Sequence, residues 1–107
     1  MMQKIQRLLN IMQTLLSENG CPWDREQTHT SLLPYMIEET YEFVEAAEED
    51  NAQKMKEELG DLLLHIVFQS AIAERENRFS MEDVAHTVSE KMTRRHPHVF
   101  GDQKLAT

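Results

Sequence analysis

The sequence predicts an all-α protein, an antiparallel bundle of about four main helices that assembles as an oligomer. Three observations carry this. Apolar residues recur at helical spacing in four stretches, and strand-like alternation is missing. Glycine and proline number three each in 107 residues, with no long turn-rich tract. Each stretch is also bounded by a capping or breaking signal. Short connections between amphipathic helices favour antiparallel packing around one core.

The first helix runs from about Gln3 to Leu16, with Ile5, Leu8, Leu9, Met12, Leu15 and Leu16 on its apolar side. Asn19-Gly20 ends it, with Gly20 expected in a left-handed C-cap. An irregular connector follows from Cys21-Pro22-Trp23-Asp24 to about Thr28. The second helix spans about Thr30 to Glu49, with Pro34 in its first turn, where a missing N–H costs least. Asp50 is placed to cap the third helix, with Gln53 as its capping-box partner. That helix continues to about Glu76. Ser80, with Asp83 three residues on, starts the fourth helix, which ends before Pro97. Residues 1–101 read as one domain and 102–107 as a polar tail or the start of a linker. No internal repeat or low-complexity tract is present.

The formal net charge is −8, from 11 basic and 19 acidic residues. A chain this acidic is a poor candidate for gripping nucleic acid through a broad basic face. A single cysteine, Cys21, excludes an internal disulfide framework and a cysteine-rich zinc site. No stretch approaches the roughly 20 apolar residues of a membrane span, and Met1 to Ile11 lacks a secretory apolar run. A cytoplasmic setting, with neither nucleic acid nor membrane as partner, is the simplest expectation.

The charge is concentrated. Ten acids lie between Glu38 and Asp61, opposed there by Lys54 and Lys56, so this window carries the whole net charge. On the second helix Leu33, Ile37, Tyr41 and Val44 form an apolar stripe. Glu38, Glu39, Glu42 and Glu45 lie opposite. The third helix is apolar around most of its circumference through Leu59, Leu62, Leu63, Leu64, Ile66, Val67, Phe68 and Ala71. A narrow polar strip remains: Lys54, Glu58, Asp61 and His65. A helix apolar on most sides is buried on most sides, so Glu58 and Asp61 should emerge inside packed structure. If the polar edge of the second helix meets this strip, Glu39, Glu42, Glu58 and Asp61 converge. Buried carboxylates need partners, and an all-oxygen set suits Mg²⁺, with Mn²⁺ as a substitute, better than zinc. Mg²⁺ is usually shared with substrate phosphates. The plainer alternative is a solvated acidic helix face, since Glu-x-x-Glu alone is common. His65 reads as an ordered core imidazole or as a hydrogen-bond donor behind the ligands. Three neighbours in a short chain do not fully cover so apolar a helix, which is the reason to expect a homodimer or higher homo-oligomer.

The string Glu38-Glu39-Thr40-Tyr41-Glu42, followed by Glu58-Leu59-Gly60-Asp61, resembles the paired acidic motif of MazG-type nucleoside triphosphate pyrophosphohydrolases, in the all-α NTP pyrophosphatase superfamily. Gly20-Cys21-Pro22-Trp23-Asp24-Arg25-Glu26-Gln27-Thr28-His29 resembles that family's N-terminal signature. Arg94-Arg95-His96-Pro97-His98-Val99-Phe100-Gly101 resembles its closing segment. The likeness covers nearly the whole chain and is strongest to the N-terminal domain of tandem members. It implies Mg²⁺-dependent hydrolysis of the α–β linkage of an NTP or dNTP to NMP and pyrophosphate. It makes Glu39, Glu42, Glu58 and Asp61 metal ligands and Glu38 the extra acid, with coordinating, orienting a ligand and activating water as its alternative roles; as an acid not saturated by metal, Glu38 is the nominated catalytic base. It leaves open a weakly active or inactive nucleotide-binding and dimerisation domain of the same fold, and an enzyme for a non-canonical or pyrimidine nucleotide.

Such a substrate needs cationic contacts. Lys54 lies one turn before Glu58. Arg94 and Arg95 are an adjacent basic pair, and Arg25 is a further candidate for phosphate or a neighbouring subunit. Trp23 can stack on a base or anchor one end of the bundle.

Overall fold

In the computed structural model, residues 2–101 are described; the proposed tail, 102–107, lies outside them. The helices are α1 (Gln3–Leu15), α2 (Pro22–Glu26), α3 (Leu33–Glu48), α4 (Ala52–Arg75), α5 (Met81–Arg95) and α6 (Pro97–Phe100). No strand occurs among the described residues. The four long helices are the expected ones. The connector after Gly20 is not wholly irregular, because Pro22 stands at the start of a short helical turn, where its fixed φ suits the first position.

Helix α4 is the hub, packing against α1, α3 and α5. Leu32 precedes α3, while Met12 comes from α1. Together they meet Val67, Phe68 and Ile72 of α4 in the buried core, and Leu8, Leu9, Leu16, Ala71 and Met81 pack around it. The core therefore sits on the C-terminal half of α4. The N-terminal half of α4 faces α3, and the acids lie there.

Two helix ends differ from the sequence reading. Asp50 is not the cap of α4. It has φ 55° and closes α3: its N–H donates to the Ala47 carbonyl at 3.0 Å and the Asn51 N–H to the Ala46 carbonyl at 3.1 Å. This is the Schellman pattern with aspartate in the left-handed position usually held by glycine. With Asp50 engaged, the cap passes to Asn51, whose side chain accepts from the Lys54 N–H at 3.1 Å. Gln53 donates instead to Glu57, at 3.3 Å. The second difference is Gly20. No described glycine has positive φ. Gly20 is required for close approach: a Cβ there would stand 2.1 Å from the Leu15 carbonyl oxygen. The Ser80–Asp83 capping box is formed as expected, and Asn77, at φ 60°, closes α4 as Asp50 closes α3.

The apolar stripe of α3 is not the face turned to α4. Ile37 and Tyr41 are 59% and 68% exposed, and Leu33 and Val44 are also exposed. The sheltered side is Leu32, Glu39, Phe43 and Ala46. On α4, Leu59, Leu63 and Ile66 are likewise uncovered. The radius of gyration is 17.1 Å, against about 13 Å for a compact chain of this length. One chain leaves a large apolar surface without cover.

Candidate metal centre

The acidic edge of α3 meets the polar strip of α4. Glu42, Glu58 and Asp61 each offer a carboxylate oxygen, and these atoms lie within 4.8 Å of one another. Glu58 and Asp61 stand three apart on α4, so adjacent turns aim them at one region. Glu39 completes the group electrostatically. Its carboxyl is held above the ordinary range by burial first and then by the charges of Asp61, Glu42 and Glu38. Glu58 is raised as well, by burial, a hydrogen bond with Glu42, and the charges of Glu42, Asp61 and Glu57. Glu58 Oε2 is sealed from solvent and has no hydrogen-bond partner. A sealed carboxylate oxygen without a donor, among like charges, fits a divalent cation: hard oxygen donors, excess negative charge and an unsatisfied lone pair. Asp61, expected inside packed structure, is exposed in the single chain. The face it shares with Leu64 borders a cavity instead.

Two cavities flank the acids. One, of about 270 Å³, is lined by Glu42, Glu45, Ala46, Glu49, Lys54, Glu57 and Glu58. Lys54 reaches it, with Nζ 3.4 Å from Glu49 Oε2. The other, of about 210 Å³, includes Glu39, Asp61, His65, Trp23, Asp24 and Tyr35 in its wall. Trp23 and Tyr35 meet edge to face with centroids 6.2 Å apart, so Trp23 is at once a packing partner and a wall of the cavity. Asp24 and Tyr35 were not singled out by sequence reasoning. The first lies in the quoted N-terminal signature, and the second is one turn before Glu39.

His65 is buried, and burial lowers its pKa, favouring neutral imidazole. Its Nε2 lies 3.1 Å from Gln69 Nε2. Glu38 is exposed, close enough to act on Glu39. The single chain does not bring the three arginines into these cavities. Arg94 and Arg95 lie exposed in the last turn of α5. Arg25 donates to the Glu18 carbonyl at 2.8 Å and lines a separate cavity with Leu16, Pro22, Glu26 and Arg75.

Residues 27–100 match the sequence pattern of the MazG nucleotide pyrophosphohydrolase domain. The chain belongs to that family. The MazG domain is 57% identical over 97 residues to the Thermotoga maritima protein named nucleoside triphosphate pyrophosphohydrolase/pyrophosphatase MazG, covering 91% of this chain and 38% of that protein. It is 49% identical over 102 residues to the Escherichia coli nucleoside triphosphate pyrophosphohydrolase, covering 94% of this chain and 39% of that one. The chain thus spans about two fifths of the length of these curated relatives. The crystal structure of a MazG-related protein from Thermotoga maritima superposes with a TM-score of 0.77 at 30% identity, covering 89% of this chain and 82% of that one. Among the described residues, no helix of the MazG domain is long and apolar enough to cross a membrane.

Proposed function

We propose that this MazG domain is a Mg²⁺-dependent nucleoside triphosphate pyrophosphohydrolase. The observation that carries the reading is the convergence of Glu42, Glu58 and Asp61, with the sealed, unpartnered Glu58 Oε2 among them. The names of its relatives point the same way. Glu39, Glu42, Glu58 and Asp61 would hold Mg²⁺, or Mn²⁺ in its place, which when bound polarises phosphoryl oxygens and lowers the pKa of water.

The chain's own residues supply the rest. Water attacks phosphorus of the α–β linkage, the bridging oxygen leaves with its electron pair, and NMP and pyrophosphate result. Glu38, exposed beside Glu39, would accept the water's proton. Lys54, which lines the acidic cavity, contacts phosphate. The Trp23–Tyr35 wall receives the base. His65, one turn from Asp61 on α4, supplies a hydrogen-bond donor to the site. Arg94, Arg95 and Arg25 act on phosphate where a second chain or the substrate itself reaches them. Functional assembly as a homodimer or higher homo-oligomer is supported by the uncovered stripes of α3 and α4.

The test is incubation with the common NTPs and dNTPs plus Mg²⁺, with products identified. NMP and pyrophosphate are expected. NDP and orthophosphate would defeat the reading. Binding without either product would assign the domain to nucleotide binding and dimerisation.

A further inference from the structure

We propose that Gln69 is a positioning residue of the candidate site: oriented by His29, it holds His65 as an imidazole whose Nδ1–H faces the cavity lined by Glu39 and Asp61. The argument starts at the His29 backbone carbonyl, which can accept a hydrogen bond but cannot donate one. The atom of the Gln69 amide facing it at 3.1 Å must therefore be the NH₂ group. The same NH₂ lies 3.1 Å from His65 Nε2, so that nitrogen accepts and carries no proton. The Gln69 oxygen in turn accepts from His29 Nδ1. Every hydrogen-bonding atom of the amide is engaged, and the His65 tautomer follows from its orientation.

With Nε2 accepting, the proton of neutral His65 resides on Nδ1. Among the described residues Nδ1 makes no hydrogen bond in the chain, and the sealed atoms that make none are Glu58 Oε2 and His29 Nε2, the latter 3.4 Å from Glu76 Oε1. Nδ1 is therefore open. His65 lines the aromatic cavity, and Gln69 does not. The donor accordingly opens beside Asp61, one turn away on α4. Its role as a donor to an anionic nucleotide rests on the function proposed above; the tautomer lock does not.

The test is spectroscopic. Long-range ¹H–¹⁵N correlation of the histidine rings in the wild-type protein, without metal or nucleotide, should show His65 protonated at Nδ1 and bare at Nε2. An Nε2–H form would overturn the proposal without need of any variant. Gln69→Glu, whose carboxylate has no N–H to give, should switch His65 to Nε2–H. Addition of Mg²⁺ and α,β-methylene-ATP should shift the His65 Nδ1 resonance. Binding should weaken about tenfold in Gln69→Glu, the scale of one hydrogen bond to a charged group. Gln69→Leu, which adds no charge, should weaken binding severalfold. Variants that lose the lock, keep their fold by circular dichroism and bind like wild type would overturn the positioning role. An analogue that does not bind wild type would count against the nucleotide reading, while the wild-type tautomer still judges the lock.

Discussion

Glu58 concentrates the electrostatic conflict of the site. Its carboxyl is pushed above the ordinary value of 4.5 by burial, by Glu42 and by neighbouring charges. Between 4.5 and that higher native value the folded chain retains a proton that the unfolded chain has released. Stability therefore falls as pH rises through this window. The metal-free protein should melt at a higher temperature in mildly acidic buffer than at neutral pH, beyond whatever its other carboxylates contribute. Glu58→Gln keeps the size of the side chain and removes the charge, so its metal-free melting at neutral pH should equal or exceed wild type and depend less on pH. The same variant should lose Mg²⁺-dependent NMP and pyrophosphate formation by orders of magnitude, because misplacement at a reacting centre is expensive. Glu48→Gln, drawn from the end of α3 and away from the converging oxygens, is the control and should retain a near-normal rate. Equal, mild losses in the two would reduce the acids to a diffuse field. A second measurement needs no activity. Mg²⁺ or Mn²⁺ should raise the wild-type melting temperature, since a ligand at 100 times its Kd adds about 2.7 kcal/mol to the folded state. It should do so far less in Glu58→Gln.

At the scale of the element, helix ends show how local chemistry divides its tasks. Asn51 caps α4 because Asp50 is already closing α3. Asn51→Ala should destabilise by about 1 kcal/mol, and Asp50→Ala, which must hold φ 55°, should also destabilise. Equal stability of Asn51→Ala and wild type by urea titration would remove the cap from the account. Gly20→Ala is the harsher change, because its Cβ meets backbone at 2.1 Å. A loss of about 1–3 kcal/mol or more is expected. The main helices were legible in the sequence because apolar spacing and the Ser80–Asp83 box are local signals. The convergence of Glu42, Glu58 and Asp61 was legible for a related reason: an apolar girth around α4 leaves a strip narrow enough to name Glu58, Asp61 and His65. Adjacent residues Asp50 and Asn51 both suit a cap, and sequence alone does not say which of them the preceding helix will occupy. The pairing of His29 with Gln69 joins positions 40 apart and leaves no periodic trace. The apolar stripe of α3 is present, but the single chain leaves it bare, since hydrophobic spacing marks a face and does not say what covers it.

That uncovered stripe belongs to the whole molecule. Ile37 and Tyr41 stand largely exposed on α3, with Leu59, Leu63 and Ile66 uncovered on α4. Among the described residues the buried apolar core is meanwhile a few side chains around Met12 and Ile72. A folded chain this short with so much of its apolar surface in water is poorly stabilised alone. A second copy can cover these faces, and a two-fold contact would apply the same patch twice. Sedimentation at micromolar concentration should therefore give at least twice the single-chain mass, and the melting temperature should rise with protein concentration, as it does where folding and association are linked. Ile37→Asp places a charge in the middle of the stripe, opposite the face that carries Glu39. If the stripe is an interface, this change should dissociate the assembly and lower the melting temperature by an amount that grows with wild-type concentration. If the stripe is simply solvated, the aspartate should be nearly neutral, because polar substitutions at exposed helix positions usually stay within about 0.5 kcal/mol. A concentration-independent melt in wild type, together with a clean monomer, would reject the oligomer and require another explanation for the bare faces of α3 and α4.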